Sequence, residues 1–313
     1  MEREEKELKK KKSVEATAVN CSLIRRPIQR WFPLFILPTF CCFLIGFVWP
    51  FLQGIYLSFC NFNTPKDAEW VGISNYVKAF QDPGFVHAFW NTAAFAVVSI
   101  VLINVIAFLI AFALTQKMRG ANLFRTVFFM PNLIGGVVLG YIWSMIFDAI
   151  LRNYSTYLTA NATYGFWGLV ILVAWQQIGY IMIIYIAGLQ AVPGDMLEAA
   201  KIDGASGVQT LFQIIIPNVM PSVTICVFLT LTNSFKMFDQ NMALTGGAPE
   251  VMLAGGAGKL KMTELLALNI YNTYNINKNW HGVAQAKAVV FFVLVAVLAL
   301  AQLSATRKKE VQQ

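Results

Sequence analysis

Six long, predominantly apolar stretches run along the chain, and short polar segments separate them. Within each stretch the apolar side chains do not alternate with polar ones, so the pattern predicts helices rather than strands of a barrel. A bilayer core about 30 Å thick needs roughly 20 apolar helical residues, and every stretch reaches that length. The six predicted spans are Phe32–Phe59, Phe89–Thr115, Arg125–Phe147, Phe166–Leu189, Asn218–Phe238 and Val283–Ser304. The sequence therefore predicts an all-α, multi-pass membrane protein.

Composition and charge support this class and suggest an orientation. Of 313 residues, 57% are hydrophobic and only 13% are charged, and the net charge of +8 lies mostly in the tails. Basic residues flank the first and last spans in "MEREEKELKKKKSV", Arg25, Arg26, Arg30, Arg307, Lys308 and Lys309. The positive-inside rule then places both termini in the cytoplasm, which requires an even number of spans. A solvated tail beside the membrane is favoured over a tail that binds nucleic acid.

Sequence motifs for catalysis, nucleotide binding and metal binding are missing. "GGAGKL", from Gly255, resembles a phosphate-binding loop, but Leu253 and Leu260 stand where the motif needs Gly and Ser or Thr. His87 and His281 are too few for a histidine metal cluster, and the five cysteines lack metal or redox spacing. We therefore expect no ATPase site, no cofactor and no metal in this chain, and cysteines that serve packing.

A polar segment, "EAAKIDGASGVQTLFQIIIP", lies between the fourth and fifth spans at Glu198–Pro217, on the predicted cytoplasmic side. Pro193 and Gly194 should end the fourth span, and Asp195 is predicted to cap a short helix. Gly204 permits a turn with positive φ. A second short helix is predicted from an apolar stripe, and Pro217 and Pro221 should mark the start of the fifth span. The stripe residues are Val208, Leu211, Phe212 and Ile215.

This helix–turn–helix element has two interpretations. It is either an amphipathic loop on lipid headgroups or a docking surface for a protein. Interfacial helices are usually rich in Lys and Arg. Here Lys201 is accompanied by Asp195, Glu198 and Asp203, which favours a protein partner with basic groups.

The same segment resembles the EAA loop of binding-protein-dependent ABC importer permeases, with a pattern of roughly E-A-A-x-x-D-G-A followed by I-x-L-P. The matching residues are Glu198, Ala199, Ala200, Asp203, Gly204, Ala205, Ile214 and Pro217. Two further stretches, "MRGANLFRTVFFMPNLIGGVVLGYIWSMIFD" and "FDQNMALTGGAPE", are similar to the carbohydrate-uptake branch, in particular the maltose-type larger permease subunit. In the second stretch Ala248 interrupts the family's Gly-Gly-Pro.

This resemblance implies a type I ABC importer permease fold, in which the loop docks on a cytoplasmic ATPase. It also implies a heterodimer with a second homologous permease, two ATPase subunits that use ATP and Mg²⁺, and an extracytoplasmic solute-binding protein. The implied organisation is a basic tail (1–31), a first span with an external loop (32–90), a permease core (91–305) containing the loop at 193–217, and a cytoplasmic tail (306–313). The expected location is the plasma or inner membrane.

Polar side chains within the spans are candidates for the solute path, because such groups are costly in lipid unless they face a cavity or a partner. They are Asn132, Gln176, Gln177, Tyr180, Thr230, Asn233 and Ser234. Thr230, Asn233 and Ser234 are spaced to share one helix face. The resemblance assigns the same positions to sugar contact and adds Gly136 and Met237. Hydrogen bonds between helices are the alternative role for each.

The expected cargo is a mono- or oligosaccharide, and the alternative is glycerol phosphate or another small polar solute on the same scaffold. Lys236 bears on this choice. The favoured role of its side chain is to extend to water or to pair with a nearby acid such as Asp239. The alternative role is to bind an anionic substrate. A membrane-embedded enzyme and a receptor are the rivals from other classes, and the sequence contains neither a catalytic constellation nor a separate signalling domain.

Overall fold

The computed structural model describes residues 32, 34–116, 118–253, 259–276 and 278–307. The chain forms two compact units, Met1–Tyr56 and Leu57–Gln313. The first unit contains nearly all of helix α1, Leu34–Ser58, which includes one π-helical turn at Leu44–Val48. Its exposed side chains are large and apolar, as expected for a helix with lipid around it.

The second unit contains the remaining helices and two small antiparallel sheets. It opens with β1 (Cys60–Asn61), β2 (Glu69–Trp70) and α2 (Ser74–Gln81). The long helices are α3 (Pro83–Thr115) and α6 (Ala162–Gln190), and between them lie α4 (Ala121–Phe129) and α5 (Gly136–Leu151). Next come α7 (Gly194–Ile202), α8 (Gly207–Thr210), α9 (Ile216–Phe235), α10 (Asp239–Leu244), β3 (Glu250–Met252), β4 (Lys259–Lys261), α11 (Leu266–Ile276) and α12 (His281–Arg307).

Five helical segments in the described residues are long and apolar enough to cross a membrane, which confirms five of the predicted spans. They are Leu34–Ser58, Pro83–Thr115, Ala162–Gln190, Gly207–Phe235 and His281–Ser304. The core of the second unit lies where α3, α6 and α9 pack, around buried Phe95, Ile103 and Tyr185. Small residues at these crossings, such as Ala107 and Ala111, let the helix backbones approach closely.

The third predicted span, Arg125–Phe147, is not one continuous helix. The chain bends by 100° between Ala121–Leu133 and Gly136–Tyr154, and this pair counts as a sixth span only if both halves belong to one crossing. A 3₁₀ turn at Met130–Leu133 contains Pro131, which lacks a backbone donor, and Ile134 and Gly135 are extended. Proline followed by Gly135-Gly136 therefore breaks the helix here.

The loop between the fourth and fifth spans also corrects two predictions. Asp195 does not cap α7: Pro193 is the N-cap residue, no side chain caps it, and Asp195 lies in the first turn. The second predicted short helix is not separate, because α8 continues through a π-helical stretch, Leu211–Ile215, into α9. Pro217 and Pro221 therefore lie inside a continuous helical segment. The wider π turn accommodates the missing donor and ring of Pro217.

Of the cysteines within the described residues, two are buried and two are exposed. Cys60 and Cys226 are buried, as packing residues should be, whereas Cys41 and Cys42 are exposed on α1. Cys21 and both charged tails, apart from Arg307 at the end of α12, lie outside the described residues. The glycines of "GGAGKL" fall there as well.

Candidate functional site

A polar cavity of about 340 Å³ opens where the bend of the third span meets α6, α9 and α10. Five of its lining side chains are carboxamides, two are ionisable, and two are apolar. They are Asn132, Gln176, Gln177, Asn233, Lys236, Met237, Phe238, Asp239 and Gln240. Carboxamides both donate and accept hydrogen bonds, so this lining can pair with a solute that has many hydroxyl groups.

Gln176 connects the cavity wall to the bend. Its Nε2 donates to the carbonyl oxygen of Ile134 at 3.1 Å, and its Oε1 accepts from Nε2 of Gln240 at 2.8 Å. The extended backbone at Ile134 leaves that carbonyl without a helical partner, and Gln176 supplies one within the apolar part of the bundle. The bend, α6 and α10 are therefore fixed to one another through this amide.

The start of α5 lies close to α10 beside the cavity. A Cβ at Gly136 would lie 2.8 Å from Cδ of Gln240 and 2.9 Å from Cβ of Asp239. One turn later, a Cβ at Gly140 would collide with Ala243. Glycines at 136 and 140 therefore let the start of α5 pack closely against α10, next to the cavity.

The structure separates the predicted solute-path residues into two groups. Asn132, Gln176, Gln177, Asn233 and Met237 line the cavity, and Nδ2 of Asn233 donates to Oε1 of Gln177 at 3.3 Å. Gly136 adjoins it through Gln240. Tyr180, Thr230 and Ser234 are not among its lining residues.

Thr230 and Ser234 take the alternative role, hydrogen bonding inside the bundle. Oγ1 of Thr230 donates to the carbonyl of Cys226 at 2.8 Å and accepts from Nδ2 of Asn104 at 3.2 Å. Oδ1 of Asn104 accepts from the hydroxyl of Tyr185 at 2.8 Å. Ser234 donates to the carbonyl of Thr230 at 2.7 Å. Thr230, Asn233 and Ser234 thus do not face one environment, although their spacing places them close together.

Four lining residues were not among the predicted solute-path residues: Lys236, Phe238, Asp239 and Gln240. They follow the fifth span, and α10 turns back against the bend of the third span. The signal in the sequence was the polar pair Asp239-Gln240, which follows Lys236 after two apolar residues. Hydropathy does not indicate a helix that folds back, so this signal did not place the pair in a cavity.

A second candidate site is the turn between α7 and α8. Gly204 has φ of +77°, which confirms the predicted positive φ. Its N–H donates to the carbonyl of Lys201 at 3.2 Å, and the N–H of Ala205 donates to the carbonyl of Ala200 at 2.9 Å. This is the bonding of a glycine C-cap, which satisfies the last carbonyls of α7.

The next helix starts with an equally well-defined cap. Ser206 accepts at Oγ from the N–H of Gln209 at 3.3 Å, and Gln209 Oε1 accepts from the N–H of Ser206 at 2.8 Å. This reciprocal capping box fixes the direction of α8. The two caps make the turn a defined structure rather than a flexible link.

The surface of this turn is apolar with acidic residues beside it. Ile202, Val208 and Phe212 are 85%, 67% and 63% exposed. Glu198 and Asp203 are exposed next to them, and Ala200 is buried beneath. An exposed apolar patch with polar residues around it is typical of a protein-binding surface.

Comparison with known proteins identifies relatives along nearly the whole chain. The family described as "Binding-protein-dependent transport system inner membrane component" matches residues 118–309. A probable permease protein for transport of starch degradation products, AmyD of Thermoanaerobacterium thermosulfurigenes, is 40% identical over 90% of this chain and 96% of its own length. MsmF, a multiple sugar-binding transport system permease of Streptococcus mutans, is 28% identical over 92% and 99%. The sn-glycerol-3-phosphate permease UgpA of Brucella abortus is 30% identical over 88% and 95%.

The fold is also similar to that of a solved transporter. A chain of a bacterial ABC transporter that imports the acidic polysaccharide alginate superposes with a TM-score of 0.74 at 18% identity. The superposition covers 91% of this chain and 98% of the alginate transporter chain. A bacterial alginate ABC transporter in complex with a periplasmic protein that holds an alginate pentasaccharide is also similar, with a TM-score of 0.73 at 17% identity.

Proposed function

Because this chain belongs to the family of binding-protein-dependent transport system inner membrane components, we propose that it is the permease subunit of an ATP-driven ABC importer. It forms the membrane passage for a mono- or oligosaccharide that a solute-binding protein delivers. It lies in the plasma or inner membrane, with both termini in the cytoplasm.

The observation that supports this proposal most directly is that the α7–α8 turn is connected to the polar cavity through two helices. The α7–α8 turn is joined to α6 on one side and continues into α9 on the other. These same two helices contribute Gln176, Gln177 and Asn233 to the cavity. A displacement of the turn by a partner would therefore reach the cavity through two helices, which are held together by contacts such as Thr230–Asn104–Tyr185. Alternating access requires such a connection between the motor and the solute path.

A sugar is the cargo that the cavity chemistry supports. Carboxamides on four elements can pair with hydroxyl groups in both directions, and Met237 and Phe238 offer apolar surface to a sugar ring. The names of AmyD and MsmF refer to starch degradation products and multiple sugars. Glycerol phosphate, the cargo in the name of UgpA, is the weaker candidate because Asp239 accompanies the single lysine of the cavity.

In this proposal, partner subunits supply the energy for transport. This chain is not an ATPase and binds no cofactor; two cytoplasmic ATPase subunits use ATP and Mg²⁺. The residues that couple to them are Glu198, Ala199, Ala200, Asp203, Gly204, Ala205 and Pro217.

A second homologous permease completes the membrane part of the importer. The loops at 60–86 and 240–282 face the solute-binding protein. The permease core spans residues 91–305, between a first span with its loop (32–90) and the C-terminal tail (306–313).

A matched pair of substitutions tests the coupling surface. Val208→Asp places a charge on the exposed apolar patch of the turn, and Val251→Asp places the same charge on an exposed valine of β3. We expect Val208→Asp to lower the amount of ATPase subunit that co-purifies by more than about tenfold, because a buried unpaired carboxylate is costly at an interface. ATP-driven uptake of maltotetraose into proteoliposomes, with all partners present, should fall in parallel.

Val251→Asp serves as the control for co-purification and should retain the ATPase subunits, because β3 lies outside the α7–α8 turn. The proposal fails if Val208→Asp keeps its ATPase subunits and its uptake. It also fails if the wild-type complex with its binding protein takes up no neutral oligosaccharide.

A further inference from the structure

Two opposite charges lie on the wall of the polar cavity. Lys236 and Asp239 are the only ionisable side chains among its described lining residues, and both are exposed. Within the described part of the chain they form no ion pair with each other. The formal charges of the described lining residues therefore sum to zero, and neither is neutralised by the other within an ion pair.

We propose that this balance selects an uncharged sugar, and that Asp239 is the residue that excludes anionic solutes. This inference rests on the proposed function, because it assigns the solute class of the same cavity. A phosphate or carboxylate in the cavity would be attracted by Lys236 and repelled by Asp239. These two interactions largely cancel, so they do not compensate for the hydration energy that the anion loses on entering the cavity. A neutral sugar loses less, since the carboxamides replace the water bonded to its hydroxyl groups.

The carboxamides by themselves do not provide this discrimination. Gln177, Asn233 and Gln240 can donate to a hydroxyl oxygen and to a phosphate oxygen alike. Relatives whose names refer to starch degradation products and to sn-glycerol-3-phosphate nevertheless share this scaffold at 40% and 30% identity. A carboxylate at the cavity wall can separate a neutral sugar from a phosphate ester, and one substitution can remove it.

The experiment measures binding to the permease–ATPase complex in nanodiscs without the solute-binding protein, because that protein makes its own selection first. The probes are maltotetraose and its 6-phosphate ester, which differ in one charged group. The wild type should bind the neutral sugar at least about tenfold more tightly. Asp239→Asn should reduce this ratio about tenfold, which corresponds to about 1.4 kcal/mol. Lys236→Gln should increase it, and Asp239→Glu should preserve it.

Salt and a distant acid provide controls. The ratio should shrink as the ionic strength rises, because salt screens charges that are partly exposed to water. Asp148 lies outside the cavity, and its Oδ1 accepts from the N–H of Leu158 at 2.8 Å, a bond that Asn can keep. Asp148→Asn should therefore leave the ratio unchanged.

Two results would overturn the inference. If Asp239→Asn leaves the ratio as in the wild type, Asp239 does not set charge selectivity. If the wild-type complex binds both probes equally or binds neither, the cavity does not select neutral sugars. Uptake of maltotetraose driven by ATP and the solute-binding protein is measured separately. That measurement tests the proposed function independently of the charge selectivity of the cavity.

Discussion

At the residue scale, the turn between α7 and α8 depends on one backbone conformation. Gly204 has φ of +77°, and a Cβ placed there would meet nothing within 4 Å. Space is therefore not the constraint. Positive φ is what excludes other residues, because a side chain in this region clashes with its own backbone at a cost of about 1–2 kcal/mol.

Gly204→Val should consequently disturb the glycine C-cap of α7 and misdirect the start of α8. We expect uptake to fall below about a tenth of the wild-type rate, since a strained turn no longer holds the coupling surface in place. ATPase stimulation by the solute-binding protein should fall with it, while the amount of permease in the membrane stays constant.

Gly207→Val is the matched control in the same loop. Gly207 lies at the start of α8 without positive φ, and a Cβ there also meets nothing within 4 Å. This variant should retain most of the uptake. Equal loss in both variants would show that bulk, rather than backbone conformation, limits the turn.

At the element scale, the bent third span is held by contacts with α6. Gln176 bonds the carbonyl at the bend, and Gly179, one turn along, lies against the end of α4. A Cβ at Gly179 would collide with the carbonyl of Phe128 and lie 2.7 Å from the backbone nitrogen of Phe129. Backbone atoms cannot move aside as a flexible side chain can, so α4 and α6 must separate if Gly179 is replaced.

Gly179→Ala should therefore destabilise the protein by about 1–3 kcal/mol, the usual cost of overpacking. A lower melting midpoint of the purified permease would report this loss. Gly135→Ala, at the bend itself, adds its Cβ to open space and should leave the midpoint unchanged. If Gly179→Ala melts like the wild type, the two helices are not in the close contact described.

At the scale of the whole molecule, an ion pair joins residues 205 positions apart in the sequence. Lys287 of α12 is fully buried and bonds Asp82, the N-cap residue of α3. Nζ of Lys287 also donates to Oδ1 of Asn269 at 3.0 Å and to Oγ1 of Thr273 at 2.7 Å. Nδ2 of Asn269 in turn donates to Glu264 at 2.7 Å. The last span, α11 and the start of α3 are thus joined at one end of the bundle.

Lys287→Met should lower the stability by about 3–5 kcal/mol, because it leaves the carboxylate of Asp82 without its buried cation. Adding Asp82→Asn should recover part of this loss, since Asn removes the charge and still caps α3. Melting midpoints of the two single variants and the double variant give the coupling energy. Strictly additive effects would contradict a direct interaction.

The sequence by itself determined the elements whose cause is local. Five spans follow from runs of apolar residues, because a backbone in lipid must bond to itself. The positive φ of Gly204 follows from a glycine in a polar turn. Five of the nine predicted solute-path residues line one cavity, and four of these are carboxamides, which need a polar environment within a span.

Only the tertiary structure decided which polar groups face that cavity and which bond other helices. Thr230 and Asn233 are three residues apart, yet the first bonds Asn104 of α3 and the second reaches Gln177 beside the cavity. The bend of the third span, the return of α10 and the Asp82–Lys287 pair were equally hidden. The physical reason is that each depends on contacts between residues distant in sequence, whereas hydropathy and helical periodicity record only the neighbours along the chain.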